Sequence, residues 1–378
     1  MKNILITGGA GFIGSNLALT LLSKGYQVRV IDNLSPQIHG NNPEKTSPLY
    51  QSILGKVEFI KGDVRLKKDI TKAIKGQDAI IHLAAETGTG QSMYEIKKYC
   101  DVNINGTALI LDILANQKHT IKKVIIASSR AIYGEGQYKC AEHGIVYPTS
   151  RVETDMKKGD FECKCPICHQ SVALMATSEA SKIHPTSIYG ITKQNQEQMV
   201  LTVCQSLGIA AVAFRYQNVY GPGQSLSNPY TGILSIFSTQ IRNGNNINIY
   251  EDGEESRDFV YIEDVIAATI LGLEKESANY QAFNVGSDKP VSVMTVAKTL
   301  RDCYAISVDI QVTGKFRIGD IRHNFADLEK SKNLLGYTPK VTFTEGVKRF
   351  ADWVKKQPVN QDNYEHSITV LKEKGLFK

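Results

Sequence analysis

The stretch NILITGGAGFIG, residues 3–14, contains the features that decide the fold. A short apolar strand pattern is followed by three glycines in the spacing G-x-x-G-x-x-G, namely Gly8, Gly11 and Gly14. Gly8 permits a tight turn, Gly11 lets a ligand approach the backbone, and Gly14 lets a helix pack closely on the strand. The helical pattern at 15–23 begins at this turn. Its free N–H groups and positive dipole end are suited to bind phosphate groups.

An acid at the end of the next strand completes a dinucleotide-binding pattern. The apolar segment 26–31 ends at Asp32, whose carboxylate can accept hydrogen bonds from the adenosine ribose and repel a 2′-phosphate. The sequence therefore favours NAD over NADP. Further candidates lie in the turn itself and at later strand ends. The residues expected to contact the cofactor are Gly8, Gly11, Phe12, Ile13, Gly14, Asp32, Asn33, Asp63, Val64, Leu83, Ala84 and Ala85.

The strand–helix alternation continues beyond the first unit. Short apolar strand patterns recur at 57–61, 78–83, 124–127 and 210–214, and helical patterns at 93–116 and 188–207 lie between or after them. Nearly continuous apolar strands that alternate with helices indicate a parallel sheet covered on both faces. We therefore predict an α/β fold, a Rossmann-type doubly wound parallel sheet with a smaller C-terminal substrate-binding lobe.

The segments after about Tyr220 are shorter and less regular, which sets the predicted boundary between the lobes. We assign 1–219 to the dinucleotide-binding lobe and 220–378 to the smaller lobe. The chain is expected to return to the first lobe at about 256–288. The segment 362–378 reads as an amphipathic terminal helix.

Three side chains suggest hydride-transfer chemistry. Tyr189 and Lys193 stand at i and i+4, on one face of a predicted helix. A neighbouring ammonium lowers the pKa of a phenol, so that Tyr189 can remove a proton from a hydroxyl group. Ser129, at the end of a strand, can hydrogen-bond the same oxygen. A Tyr-x-x-x-Lys spacing is common by chance, but its order after the glycine turn and the strand-end serine favours catalysis.

Composition excludes several other classes of protein. The chain has 378 residues, 42% of them hydrophobic and 22% charged, and its formal net charge is +6. These values are typical of a globular protein, and without a dense basic block they argue against nucleic acid as a partner. No segment reaches the roughly 18 consecutive apolar residues of a membrane span. We therefore expect a cytoplasmic protein with cysteines that are reduced or bound to metal.

The segment at about 135–185 is longer than a βα connection requires and holds four of the seven cysteines. Cys140-x2-His143 and Cys165-x2-Cys168 are pairs suited to a tetrahedral structural zinc site, with Cys163 as an alternative ligand to His143. Free cysteines in a reduced compartment would give the same pattern, and that alternative stays open. The remaining cysteines, Cys100, Cys204 and Cys303, lie in apolar helical surroundings that suit packing.

Over nearly its whole length the chain resembles the NAD-dependent epimerase/dehydratase branch of the extended short-chain dehydrogenases. The matching segments are TGGAGFIG (7–14), GDV (62–64), HLAA (82–85), NINGT (103–107), SSRAIYG (128–134), YGITK (189–193), RYQNVYGPGQ (215–224), RDFVYIEDV (257–265), FNVG (283–286) and RIGDIRHNFAD (317–327).

The resemblance implies further site residues and a partner. It implies that Asn103 contacts the cofactor and that Arg257 and Arg322 bind the diphosphate of a nucleotide-diphosphate sugar. The full set of substrate residues expected on this basis is Ser92, Ser129, Arg130, Asn218, Asn228, Tyr250, Arg257 and Arg322. It also implies a homodimer in which the helices near 93–116 and 188–207 form a four-helix interface.

Arg130 and Ala131 reduce the number of reaction types that the resemblance allows. In this family the 4,6-dehydratases resemble the chain but carry Asp-Glu directly after the catalytic Ser or Thr, where Arg130 and Ala131 stand here. The decarboxylases usually carry Glu at the position of Ala131. Elimination and decarboxylation are therefore disfavoured. The expected reaction is 4-epimerisation through a transient 4-keto sugar, with tightly bound NAD.

The segments SPQIHG (35–40), TGTGQSMY (87–94) and LSNPYTG (226–232), with the cysteine insert, resemble the dTDP-L-rhamnose 4-epimerase group. This resemblance implies a dTDP-6-deoxyhexose substrate and a role in carbohydrate biosynthesis for cell-surface polysaccharide. Three alternatives stay open. They are a UDP-hexose or UDP-N-acetylhexosamine 4-epimerase, a nucleotide-sugar C4 dehydrogenase or ketoreductase, and a catalytically inactive NAD-binding sensor or scaffold.

Overall fold

The computed structural model describes residues 1–228, 230, 232–359, 362 and 364–378. In chain order, the strands of these residues are β1 Asn3–Thr7, β2 Gln27–Asp32, β3 Glu58–Lys61, β4 Ala79–His82, β5 Lys123–Ser129, β6 Tyr138–Cys140, β7 Gly144–Val146, β8 Ala173–Leu174, β9 Ala210–Tyr216, β10 Asn218–Tyr220, β11 Ile247–Ile249, β12 Ser256–Tyr261, β13 Gln281–Val285, β14 Pro290–Ser292, β15 Ile310–Val312 and β16 His323–Asn324.

The α-helices alternate with these strands. They are α1 Phe12–Ser23, α2 Pro36–His39, α3 Pro43–Thr46, α4 Pro48–Ile53, α5 Lys67–Ile74, α6 Thr89–Ser92, α7 Ile96–Tyr99, α8 Gly106–Asn116, α9 Glu153–Met156, α10 Ile188–Ser206, α11 Ile233–Arg242, α12 Ile262–Glu274, α13 Val293–Tyr304, α14 Phe343–Lys355 and α15 Tyr364–Glu373. Two π-helical turns, Cys100–Asn105 and Ser331–Leu335, and two 3₁₀ turns, Arg130–Tyr133 and Glu276–Ala278, complete the helical elements of the described residues.

Seven parallel strands form the main sheet, in the order β13-β9-β5-β4-β1-β2-β3. Both faces are covered, because alternate residues of one strand belong to different cores. Ile4 and Ile6 of β1 pack in one buried cluster and Leu5 in the other. All side chains of β4 and β5 are buried, as expected of central parallel strands. The predicted Rossmann-type α/β fold is confirmed.

The helix expected at 93–116 is interrupted. It consists of α7, the π-helical turn Cys100–Asn105 and α8. The buried Asn103 lies in this wider turn, and its carboxamide bonds the backbone N–H and C=O of Glu86 at 2.8 and 3.1 Å. Single π-helical turns often occur at functional sites, where they reorient one side chain. Hydrophobic periodicity does not reveal such a turn.

The later part of the chain builds smaller sheets beside the carboxyl ends of the main strands. Strands β10, β12 and β14 form one sheet, with β16 paired to β12, and β11 pairs with β15. Strand β13 then joins the edge of the main sheet. Helix α12 also returns to the main sheet, because it packs on α1 and β5.

Two peripheral segments bear on the site. The insert contains the three-stranded antiparallel sheet β7-β6-β8. At the other end of the chain, α15 is followed by an antiparallel bridge between Arg317 and Phe377, and the N–H of Lys378 donates to the carbonyl of Phe316 at 3.0 Å. Within the described part of the chain, every helix is too short or too polar to cross a membrane.

Candidate active site

A cavity of about 330 Å³ opens at the carboxyl ends of β1, β2 and β4. Polar and glycine residues follow these strands, as is usual for ligand sites of open parallel sheets. Twelve of the residues predicted to contact the cofactor line it: Gly8, Gly11, Phe12, Ile13, Gly14, Asp32, Asn33, Asp63, Val64, Leu83, Ala84 and Ala85. Ser129, Tyr189 and Lys193 also line this cavity. The fold thus brings together residues from six separate segments.

The glycine turn leaves no room for side chains. Gly8 has a φ of +66°, and a Cβ built on it would lie 2.7 Å from the backbone nitrogen of Ala84. A Cβ on Gly14 would lie 2.5 Å from the carbonyl oxygen of Gly8. Both contacts are with backbone atoms, which cannot move aside cheaply. The turn is therefore a tight backbone cradle at the N-terminus of α1, the arrangement that binds a pyrophosphate.

Asp32 is fixed beside this cradle by two backbone donors. Its carboxylate accepts hydrogen bonds from the N–H of Ala10 at 3.0 Å and of Leu34 at 2.8 Å. Burial raises the pKa of Asp32 and lowers that of His39, whose ring nitrogen lies 3.8 Å from the carboxylate. His39 also lines the cavity, but the sequence analysis did not identify it.

Polar side chains at the inner end of the cavity have no partner among the described residues. Both carboxamide atoms of Gln217 and the hydroxyl of Ser128 are buried without a hydrogen bond, and both residues line the cavity. Unpaired buried polar groups cost free energy unless a ligand or water satisfies them. Together with the glycine cradle and Asp32, they fit a dinucleotide whose polar end reaches this point.

Helix-capping contacts fix the segments that carry the candidate catalytic residues Ser129 and Tyr189. Ser129 ends β5, and its hydroxyl accepts the N–H of Ala131 at 3.1 Å. Tyr189 is in the first turn of α10, where Ser187 caps the helix by accepting the N–H of Gly190 at 3.1 Å. A Cβ on Gly190 would lie 2.6 Å from the carbonyl oxygen of Ala131. Glycine is therefore needed for α10 to approach the end of β5 and bring Tyr189 to Ser129.

Electrostatics around the phenol combine opposing effects. Burial raises the pKa of Tyr189, while a hydrogen bond from Ser129 and the positive charge of Arg130 lower it. Burial lowers the pKa of Lys193 to about 7, and its ammonium donates a hydrogen bond to the carbonyl of Ala127 at 3.0 Å. The sequence analysis assigned the stabilising charge to Lys193 and did not foresee that Arg130 acts on the same phenol.

A second cavity of about 210 Å³ adjoins the first. Two pairs of neighbouring residues connect the cavities. Ser129 lines the first cavity and Arg130 the second, and Val219 lines the first and Asn218 the second. The guanidinium of Arg130 donates to the side-chain oxygen of Asn218 at 3.1 Å. The substrate candidates that line this second cavity are Arg130, Asn218, Tyr250 and Arg257.

An arginine that the sequence analysis did not single out also faces this cavity. Arg317 lies over the ring of Tyr250, at 5.5 Å from its centroid, and pairs with Asp320 at 2.7 Å. Arg257 is held by the carbonyls of Ser256, Ile321 and Arg322 at 2.6–2.8 Å. With Arg130, three guanidinium groups line this cavity, and such groups suit a diphosphate. Arg317 belongs to the segment RIGDIRHNFAD, in which the sequence analysis selected Arg322 instead.

Arg322 does not occupy the expected position. Its side chain is 1% exposed, and its guanidinium binds Glu162, Glu251 and Asp252 at 2.6–3.0 Å. It does not line the second cavity, so the structure gives it no position beside the other candidate diphosphate ligands. Three carboxylates fully occupy its donors.

Three further candidates line neither of these two cavities, and each makes hydrogen bonds within the protein. Asn103 holds the backbone of Glu86 and the hydroxyl of Thr192. The hydroxyl of Ser92 accepts the N–H of Tyr189 at 3.1 Å and donates to the carbonyl of Thr89. Asn228 accepts the N–H of Tyr230 at 3.1 Å. The contacts that the structure shows for these residues are within the protein, and their contacts with a ligand stay a prediction.

The candidate metal ligands lie outside both cavities. The sulfur and nitrogen atoms of Cys140, His143, Cys165 and Cys168 all lie within 4.8 Å of one another. Cys163 is buried nearby, but it does not belong to this group of converging atoms. His143, and not Cys163, thus completes the cluster.

A family model, a curated relative and solved structures all match this chain over most of its length. The family model described as the NAD dependent epimerase/dehydratase family matches residues 4–151 and 169–286. A dTDP-L-rhamnose 4-epimerase of Burkholderia thailandensis is 36% identical over 94% of this chain and 96% of its own length. Among solved structures, a UDP-glucose 4-epimerase of Thermotoga maritima in complex with UDP-glucose is 28% identical, with a TM-score of 0.76, and covers 94% of this chain and 99% of its own.

A second solved structure contains the cofactor. A UDP-glucuronic acid 4-epimerase of Bacillus cereus, in complex with UDP-glucuronic acid and NAD, is 26% identical, has a TM-score of 0.76, and covers 94% of this chain and 99% of its own. The family match spans most of the chain and includes the glycine cradle, Ser129, Tyr189 and Lys193. The chain therefore belongs to the NAD-dependent epimerase/dehydratase family.

Proposed function

We propose that the chain is an NAD-dependent nucleotide-sugar 4-epimerase. The observation that carries this proposal is the position of Ser129, Tyr189 and Lys193 where the cofactor cavity meets the arginine-lined cavity. The two positions directly after the serine are Arg130 and Ala131, so neither provides a carboxyl group.

The roles of the side chains follow from their contacts. Tyr189 accepts the proton of the sugar 4-hydroxyl; burial raises its pKa, and the hydrogen bond with Ser129 and the charge of Arg130 oppose this effect. Ser129 donates a hydrogen bond to the same hydroxyl oxygen. Lys193 lies one helical turn after Tyr189, and its ammonium donates a hydrogen bond to the carbonyl of Ala127. It lines the first cavity, where it would bind the cofactor. The glycine turn and Asp32 would hold NAD in the first cavity, and its nicotinamide would supply reversible hydride acceptance at C4.

The side chains around the sugar position favour epimerisation over the alternatives. Water elimination needs an additional acid and base beside the sugar, and neither Arg130 nor Ala131 supplies one. Epimerisation needs only that the 4-keto sugar turns within the site before hydride returns. The second cavity supplies anchoring for the rest of the substrate, with Arg257, Arg317 and Asn218 as diphosphate ligands.

For the substrate we propose dTDP-L-rhamnose, within carbohydrate biosynthesis for cell-surface polysaccharide. The support is the 36% identity to the B. thailandensis dTDP-L-rhamnose 4-epimerase over nearly both chains. A UDP-hexose or UDP-N-acetylhexosamine is the second candidate. It is favoured by the similarity to the T. maritima structure, whose bound ligand is UDP-glucose.

Product analysis without added cofactor tests both points. Untagged enzyme is incubated separately with dTDP-L-rhamnose, UDP-glucose and UDP-N-acetylglucosamine, and the products are identified by NMR. We expect the 4-epimer of dTDP-L-rhamnose, with NAD released in a ratio near one per chain when the protein is denatured. If a UDP-sugar is converted to its 4-epimer faster than dTDP-L-rhamnose, the proposed 4-epimerase activity stands and the proposed substrate is wrong.

Two other outcomes would contradict the reaction. Turnover that consumes added NADH or NADPH stoichiometrically would mean a C4 ketoreductase or dehydrogenase. Protein that binds NAD but converts no nucleotide sugar would mean an inactive sensor or scaffold. The matched control is Tyr189→Phe, which should keep NAD and lose turnover under each condition.

The remaining expectations fit this proposal. We propose that the protein is a homodimer through α8 and α10, and that it works in the cytoplasm, where its seven unbridged cysteines stay reduced. A metal ion held by the cysteine cluster would take no part in the reaction, because the cluster lies outside both cavities.

A further inference from the structure

Four metal-binding side chains converge at one end of the β7-β6-β8 sheet. Cys140 Sγ lies 3.6 Å from His143 Nδ1 and 3.6 Å from Cys168 Sγ, and Cys165 Sγ lies 3.7 Å from His143 Nδ1. All four ligand atoms lie within 4.8 Å of one another. In a tetrahedral site with Zn–S bonds of about 2.3 Å and Zn–N bonds of about 2.0 Å, ligand atoms are roughly 3.5–3.8 Å apart. The three spacings of 3.6–3.7 Å agree with this geometry.

Two tight turns present the ligands in pairs. Cys140 ends β6, and the chain turns back through Gly144, whose φ is +68°. The second turn is closed by hydrogen bonds between Cys165 and the backbone of His169 and Gln170, at 3.0 and 2.9 Å. His169 has a φ of +60°, which a non-glycine residue rarely adopts. Each turn thus directs two side chains of C-x2-C or C-x2-H spacing to a common point.

The insert has too little apolar core to maintain this arrangement by packing alone. Its buried apolar cluster is Tyr138, Cys140, Val146, Cys163 and Cys165, so that three of five members are cysteines. The strands are three, three and two residues long. Such short strands are not independently stable in water, whereas a structural metal ion supplies folding free energy directly.

Neither a disulfide nor a catalytic metal fits the geometry of the cluster. The sulfurs of Cys140 and Cys168 are 3.6 Å apart, whereas a disulfide needs about 2.05 Å. A catalytic metal would need an open position, but four protein ligands close a tetrahedral site. The family model omits residues 152–168, which include Cys165 and Cys168, so the complete ligand set is a feature of this chain beyond the family core.

The insert is also joined to the wall of the second cavity. Arg151 makes two hydrogen bonds of 2.8 Å with the carboxylate of Glu251 and one of 2.9 Å with the carbonyl of Asp320. Glu251 and Asp320 both line that cavity, and Asp320 pairs with Arg317. A stably folded insert therefore fixes the loops that carry Tyr250 and Arg317.

We propose that Cys140, His143, Cys165 and Cys168 bind one structural zinc ion, which holds the insert as a brace for the substrate-side loops. Binding displaces the thiol protons of the three cysteines, and the imidazole of His143 coordinates as the neutral base. Borderline-soft Zn²⁺ suits three thiolates and one imidazole.

The test uses the untagged full-length protein and Co²⁺ as a spectroscopic probe. The wild-type chain is analysed for metal after purification, stripped with a chelator under reducing conditions, and titrated with Co²⁺ and then Zn²⁺. We expect about one zinc per chain as purified. Co²⁺ should give the visible bands and thiolate charge-transfer band of a tetrahedral sulfur site, saturating at one ion per chain and abolished by Zn²⁺.

Matched variants test the ligand assignment. Cys168→Ser should weaken zinc binding about 100-fold or more, because one of four ligands is lost. Cys303→Ser, a cysteine outside the cluster, and Cys163→Ser, the buried neighbour, should bind Co²⁺ as the wild type does. Stripping the metal should raise KM for the nucleotide sugar and speed amide hydrogen exchange in 138–174, with NAD content unchanged.

Three results would overturn the proposal. They are a wild-type chain without stoichiometric zinc and without the cobalt bands, a Cys168→Ser variant that binds metal normally, or iron as the resident ion. If the metal binds but its removal leaves KM and hydrogen exchange unchanged, the bracing role is wrong. The metal measurements need no substrate, so they stand apart from any failure of the proposed epimerase activity.

Discussion

Arg130 directly follows Ser129, donates a hydrogen bond to Asn218 and acts electrostatically on the phenol of Tyr189. Burial lowers its own pKa to about 9, with the neighbouring Arg257 as a second cause, so it remains charged at neutral pH. Its charge lowers the pKa of Tyr189. The position after Ser129 thus holds a positive charge instead of a carboxylate, and that charge favours the phenolate form of Tyr189.

The pH dependence of kcat/KM should depend on the charge of Arg130. Removing it raises the pKa of Tyr189, and the tyrosine acts as a base only above that pKa. In Arg130→Met, the acidic limb of kcat/KM should therefore move to higher pH, by on the order of one unit. Arg130→Lys keeps the charge and should retain the wild-type limb. A limb unchanged in Arg130→Met would show that its charge does not act on Tyr189.

Tyr189→Phe removes the proton acceptor and little else. We expect kcat to fall by at least about 100-fold, because general base catalysis contributes that much or more. NAD content and circular dichroism should stay at wild-type values, since the ring remains and only the hydrogen bond with Ser129 is lost. Turnover near the wild-type rate would mean that another group removes the proton.

Individual residues differed in how well the sequence predicted them. The glycine turn, Asp32, Tyr189 and Lys193 act through local spacing, which the sequence displays directly, and they line one cavity. Arg317 and Arg322 lie five positions apart in one loop, and only the path of that loop decides which faces the ligand. The carboxylates that bind Arg322 come from distant segments, so no local pattern could reveal them.

At the level of elements, a buried ion pair joins β9 to α10, the helix that carries Tyr189. Arg215 binds the carboxylate of Glu197 at 2.5–3.2 Å, and its other nitrogen donates to the Tyr133 hydroxyl at 2.7 Å. Both charged side chains are buried. The pair fixes α10 against the main sheet and so helps to place the tyrosine.

Breaking this pair should destabilise the protein strongly. Arg215→Met leaves Glu197 as an uncompensated buried charge, so the free energy of unfolding should fall by about 3–5 kcal/mol. Equilibrium unfolding in urea measures this change. Arg349→Met, which removes an exposed arginine paired with Glu263 and Glu345, is the control and should change little. Equal stability of the two variants would contradict the argument.

The elements also show where periodicity fails. The strands predicted at 57–61, 78–83, 124–127 and 210–214 correspond to β3, β4, β5 and β9, because buried parallel strands have an unmistakable apolar composition. The helix predicted at 93–116 is divided by a π-helical turn around Asn103. That turn depends on hydrogen bonds to Glu86, a tertiary contact that hydrophobic spacing does not encode.

At the scale of the whole molecule, α8 and α10 pack side by side and carry partly exposed apolar side chains. Ile191, on α10, is 40% exposed. Apolar side chains on an outer helix face suit a partner surface. The same composition suits core packing, which is why the sequence alone suggested the dimer only through resemblance.

A charge at Ile191 should dissociate the proposed dimer. We expect wild-type protein to have the mass of two chains in light scattering, and Ile191→Glu to shift it toward one chain, since a buried carboxylate without a partner is costly. Val312→Glu, a change at a 50% exposed residue on β15, is the control and should keep the dimer mass. Wild-type protein with the mass of one chain would exclude this interface.

The two chain ends lie at different distances from the chemistry, with consequences for handling the enzyme. Lys378 pairs with Phe316, next to Arg317 of the second cavity, whereas the chain begins before β1, at the edge of the sheet opposite the carboxyl ends that carry the catalytic residues. A fluorescent protein or surface anchor fused after Lys378 would lie beside the loop that carries Arg317. Attached before Met1, the same group would lie at the opposite edge of the main sheet, so immobilised or labelled protein is best joined through its amino terminus.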